Sequence, residues 1–189
     1  MRYLRLWICG LLILPVMGGC TSFVQSERNK AGVTVEEGGE LPQFLAGRWK
    51  SNKDGWQIVF EKDGAISSIV HTLGRVRIKA GQATTVPMKK GGKGVFEPGK
   101  WTVNYVPSSR ELTVSIALKK AYIEVGDNIL KCKSTDVFTG KVSEDGKTWD
   151  VAWMSFPDYT ARSSKQPEAR IAPTYGLSHS LAFEKVAEK

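Results

Sequence analysis

Two histidines, one isolated cysteine and a basic row are the residues in this chain whose types could do chemistry. His71 and His179 lie far apart, each near the end of a strand-like run. A His–carboxylate base or a three-ligand zinc site would need close polar neighbours, and the spacing supplies none. Each histidine therefore reads as a surface strand residue. No G-x-S-x-G, H-E-x-x-H or paired-cysteine motif occurs. The loop Lys89-Lys90-Gly91-Gly92-Lys93-Gly94 has glycines and lysines. It lacks the spacing of a phosphate-binding loop and reads as a hairpin tip. No enzyme, cofactor or metal site is expected.

Two sets of residues could bind. Trp56, Phe60, Trp101, Tyr105, Trp149 and Trp153 all sit on alternating positions of strand-like runs. Pointed inward they would line an apolar ligand pocket or pack as core. Arg75, Arg77 and Lys79 alternate with Val76 and Ile78, and Lys89, Lys90 and Lys93 follow in the loop. On one flank these six would form a basic rim for lipid phosphates or acidic glycans, or a solvated face.

The elements that would carry these residues are strands. Trp56, Ile58 and Phe60 alternate with Gln57, Val59 and Glu61; Leu112, Val114, Ile116 and Leu118 alternate with Thr113, Ser115 and Ala117. Turn signals such as Asp63-Gly64 and Asp145-Gly146 separate such runs. The period of two predicts an all-β protein, a single antiparallel meander of about eight to ten strands. It would close into a barrel, which removes exposed edges, or pack as a β-sandwich. The stretch from Pro157 to Pro173 reads as a long polar connection.

The chain begins with a different pattern. Arg2 and Arg5 precede an apolar run from Leu6 to Met17, followed by two glycines and Cys20. Basic, apolar and small-residue regions in that order are the layout of a secretory signal. About a dozen apolar residues fall short of the ~20 that a membrane-crossing helix needs. Met17-Gly18-Gly19-Cys20 resembles the lipobox of bacterial lipoproteins, with methionine where leucine is usual. The resemblance implies cleavage before Cys20 and lipidation of its sulfur, and Thr21-Ser22 after it implies the outer membrane. The expected organisation is a signal peptide over 1–19, lipidated Cys20 with a flexible tether over 20–44, and a β-barrel domain over 45–189.

The 189 residues carry 27 basic and 19 acidic side chains, a formal charge of +8. Loss of Arg2 and Arg5 with the signal leaves +6. That balance suits an envelope protein near anionic lipid or glycan, with no nucleic-acid partner expected. Of three cysteines, Cys9 lies in the signal and Cys20 in the lipobox. Cys132 is left without a disulfide partner and reads as a small inward-facing core residue.

Gly47-Arg48-Trp49, at the start of the first strand-like run, resembles the G-x-W signature of lipocalins and related calycin barrels. In that family the glycine allows close backbone approach and the tryptophan plugs the closed barrel end, a role the resemblance gives to Trp49. It implies a lipid-anchored, lipocalin-like barrel that binds a small hydrophobic or amphipathic ligand at the envelope, facing the periplasm. The alternative is a structural lipoprotein with a solid core, which binds an envelope protein or glycan through its surface.

Overall fold

Alternation along the chain becomes alternation across one sheet. The structure, a computed structural model, describes residues 32–36, 40–88, 91–163, 165–171 and 177–187. The lipobox with Cys20 and the loop lysines Lys89 and Lys90 lie outside the described residues. Among the described residues twelve strands form: β1 (Gly32–Val35), β2 (Gly47–Ser51), β3 (Gln57–Phe60), β4 (Ile66–His71), β5 (Val76–Lys79), β6 (Thr84–Pro87), β7 (Lys93–Val106), β8 (Glu111–Val125), β9 (Asn128–Val142), β10 (Thr148–Ser163), β11 (Gln166–Ile171) and β12 (Leu177–Lys185). The protein is all-β, as its period of two predicts. No helix among the described residues is long and apolar enough to cross a membrane.

The ladder runs β1-β7-β8-β9-β10-β12-β2-β3-β4-β5, with β6 beside β7 and β11 beside β10. Two long strands each divide one edge between two partners. β7 takes β6 along its first half and β1 along its second, while β10 takes β12 and then β11. The count therefore exceeds the expected eight to ten, and the sheet is mixed, because β1 pairs with β7 in parallel.

Both departures have local causes. Val33 and Val35, set in a polar stretch expected to be tether, give β1 an apolar side that packs against the core. The expected polar connection after Pro157 instead completes β10 and forms β11. There Asp158 and Glu168 meet Arg170 and Lys131 as ion pairs at 3.0 and 2.7 Å, so charge that reads as loop decorates a hairpin.

The sheet curls on itself. Trp56, just ahead of β3, brings its ring within 5.1 Å of Phe138 on β9 and 5.9 Å of Trp153 on β10. These strands are several positions apart along the ladder, so only a strongly coiled sheet brings them together. β5 lies beside β6 and β7, yet no ladder joins β5 to β7 among the described residues. Inside lie Trp49, Ile58, Ile69, Ile78, Val103, Leu112, Val114, Ile116, Phe138, Trp149 and Phe183, all buried. Every ladder and every buried apolar residue described falls between Gly32 and Lys185, so a chain starting at Thr21 keeps all of the described core.

Glycine makes two of the turns. Gly64, between β3 and β4, has φ +80° after Asp63, whose carboxylate accepts the Ala65 N–H at 3.1 Å. Gly146, between β9 and β10, has φ +67° after Asp145, which accepts the Lys147 N–H at 3.1 Å. Both are the Asp-Gly turns that the sequence marks.

Candidate functional site

One end of the curled sheet is shut by the segment that leads into β2. Gln43–Leu45 makes a single 3-10 turn, and Trp49 donates its indole N–H to the Leu45 carbonyl at 2.9 Å. Lys185, paired with Trp49 across β2 and β12, donates from Nζ to the Phe44 carbonyl at 2.7 Å. Gly47 has φ +116°, with the Lys185 side chain passing close to where a Cβ would stand. Gly47 and Trp49 thus lie where the turn, the β2–β12 pairing and the last strand meet.

The aromatic set is buried, and its rings pack on one another and on the core. Trp153 stacks on Phe138 at 6.2 Å, and Trp149 lies 5.1 Å from Phe183. Trp101 donates its N–H to the Ala117 carbonyl at 3.0 Å, and Phe60 and Tyr105 are buried on the same inner side. The clefts described below are lined mainly by other residues.

A polar cluster that sequence reading missed sits among these rings. Asp136 on β9 is 1% exposed. It accepts the Trp153 N–H at 3.1 Å and the Ser134 hydroxyl at 3.2 Å. Oδ2, the oxygen that accepts from Ser134, also faces His71 Nε2 at 3.4 Å, too long for a good hydrogen bond, and among the described residues His71 Nε2 has no hydrogen-bond partner. His71 is buried, not a surface residue, and lies edge-on to Trp56 at 4.8 Å between ring centres. The signal was hidden because Asp136 and His71 are 65 positions apart and meet only when the sheet curls.

The chemistry of this cluster follows from its order. Leu73 donates its N–H to His71 Nδ1 at 3.0 Å, so Nδ1 is the acceptor and the neutral ring carries its proton on Nε2. The sequence of contacts is Ser134–Asp136–His71, with the carboxylate in the middle. The Ser134 hydroxyl donates to Asp136, and among the described residues no basic nitrogen is hydrogen-bonded to it, so these three side chains do not pair a serine nucleophile with a base. It holds three elements of the interior together.

Past this cluster the inner wall continues along the longer strands. β8, β9 and β10 run 15 to 16 residues, whereas β2 to β5 run four to six. The long strands therefore overhang the short ones. Cys132 and Tyr159, opposite each other on β9 and β10, begin the overhang. Burial pushes the Cys132 thiol up to about 11, and the Tyr159 hydroxyl up to about 12. The lysines flanking Cys132 do not activate it.

Beyond them, Ile123, Leu130 and Ala161 fall in register across β8, β9 and β10. With Val125, Pro167 and Arg162 they line a cleft of about 540 Å³. A second cleft, of about 670 Å³, lies at the shut end beside Lys62, Lys147 and Lys185.

Four residues of the expected basic rim are described, and all are exposed. Arg77 and Lys79 are exposed on the outer side of β5, with Val76 and Ile78 buried between them, and Arg75 is exposed just before. Lys93 is exposed at the start of β7. His179 is exposed on β12, its ring 5.8 Å from that of Trp153. Among the described residues no three His, Cys, Asp or Glu side chains are grouped to hold a metal ion. Comparison with protein-family models, curated proteins and solved structures returns no match.

Proposed function

We propose that this chain is a lipid-anchored envelope protein, held through Cys20 at the periplasmic face of the outer membrane, that binds a small amphipathic molecule. Its sheet wraps as a lipocalin-like barrel, with Trp49 as the plug of the shut end. The buried Trp49, the 3-10 turn that accepts its N–H and the Lys185 tie support that assignment. The observation that carries the binding reading is the apolar cleft on the overhang of β8 to β11. Its volume lies within the range of small-molecule sites, and its lining brings together Ile123, Val125, Leu130 and Ala161. An apolar tail would lie on the four hydrophobic residues, with a polar head at the solvent-facing mouth of the cleft. The aromatic set serves the core in this reading, and the ligand sits on the overhang.

Native mass spectrometry of the chain from Thr21, purified gently from a bacterial periplasm, tests the proposal. An added mass that organic extraction removes is expected, and Leu130→Arg should abolish it while the melting temperature stays near that of the parent. A clean apo mass, unchanged after incubation with envelope lipid extract, would sink the carrier reading.

A second reading has one observation in its favour. Phe156 and Met154 lie on the outer side of β10, 54% and 36% exposed. Their cross-strand neighbours Thr135 and Val137 carry no charge. A solid-core lipoprotein that binds an envelope protein or glycan by this face would show the apo mass.

A further inference from the structure

The outer side of the four short strands carries cations and no acid. Pairing places Lys50, Gln57, Val70 and Arg77 in one row across β2, β3, β4 and β5. One step along the strands, Arg48 stands opposite Val59 on β3, and Lys79 occupies β5. All four cations are exposed, whereas Trp49, Val76 and Ile78, which alternate with them, are buried. Two columns of positive charge therefore run along β2 and β5, separated by three strand spacings, about 14 Å. Gln57, Val59, Ser67 and Val70 between them are uncharged.

The acids that border this face lie at its margins. Glu184 on β12 is opposite Lys50, and Asp54, Glu61 and Asp63 occupy the turns. Among the described residues none of the four cations takes part in an ion pair within 4.0 Å. A single phosphate cannot reach both columns. A surface that presents many anionic groups side by side can engage all four.

We propose that the outer face of β2 to β5 docks on the anionic lipid headgroups of a bilayer, and so lays the domain against the membrane on that side. Each Lys or Arg held near an anionic leaflet contributes about 1 kcal/mol, which salt screens over about a Debye length. The overhang of β8 to β11 belongs to a different part of the sheet and keeps its own role. The two proposals stand or fall separately.

Sedimentation of the unacylated chain from Thr21 with vesicles of phosphatidylcholine, with and without phosphatidylglycerol, tests this. Binding should require phosphatidylglycerol and weaken as salt is raised. The variant Arg48→Ser, Lys50→Ser, Arg77→Ser, Lys79→Ser should bind at least about tenfold more weakly. A control with Lys100, Lys119, Lys133 and Lys141 all changed to Ser loses the same net charge from other strands, and should stay within about threefold of the parent. If the first variant does not fold, Arg77→Ser and Lys79→Ser singly should each cost about fivefold.

Equal losses in both fourfold variants would reduce the effect to net charge and overturn the proposal. Binding that ignores phosphatidylglycerol, or binding to an acidic polysaccharide but not to vesicles, would also overturn it.

Discussion

Asp136 is the residue on which the interior's polar chemistry turns. Its carboxylate satisfies the Trp153 indole and the Ser134 hydroxyl, and it lies in a site that water does not reach. Removing the acceptor strands buried donors, and each unsatisfied group costs about 1–3 kcal/mol. Asp136→Ala should therefore lower stability by about 2–4 kcal/mol in urea melts. Asp136→Asn keeps one carbonyl oxygen for Trp153 and should cost less. Equal midpoints for parent and alanine variant would remove the cluster's structural role.

Cys132 makes a prediction about pH. Burial holds its thiol at about 11 against an ordinary value of 9.0, so the folded state keeps this proton more tightly than the unfolded chain does. The resulting stability is complete below pH 9 and is lost as pH rises through 11. Tyr159, raised from 10.0 to about 12, adds a loss of the same sign over its own window. Urea midpoints should fall across pH 9 to 11, and less steeply in Cys132→Ala. Iodoacetamide should label Cys132 slowly at pH 8 until urea unfolds the protein.

At the level of elements, the long strands impose tolerances that short ones do not. Gly140 on β9 sits between Leu112 and Val151, and a Cβ there would collide with the Asp150 carbonyl oxygen. Backbone cannot give way as a side-chain tip can, so Gly140→Ala should destabilise by about 1–3 kcal/mol. Thermal melts check this; an unchanged midpoint would mean that the β9–β10 ladder has slack at Gly140.

Local pattern made β3, β8 and the first half of β10 legible. β1 and β11 were not, because their strand state comes from the edge they join. Val33 and Val35 are too few to declare a strand without β7 beside them, and β11 carries Pro167 and two charged residues, Glu168 and Arg170.

For the whole molecule, core and ligand cleft are separable. Trp149→Ala should cost about 3–5 kcal/mol, since it empties a site packed by Phe138 and Phe183, and should leave any bound mass unchanged. Leu130→Arg should do the reverse. If Trp149→Ala instead lost the ligand at little cost to stability, the pocket would lie among the aromatic rings.

Residue order by itself determined the all-β class, the Asp-Gly turns, and the inward course of Trp149, Trp153 and Cys132, because a strand's period of two depends only on neighbours in the chain. Tertiary structure alone decided three things: that His71 is buried against Asp136, that long strands overhang short ones, and that Arg48 and Lys50 share a face with Arg77 and Lys79. Each depends on which strands become neighbours and how tightly the sheet curls, and those are set by pairings between residues dozens of positions apart.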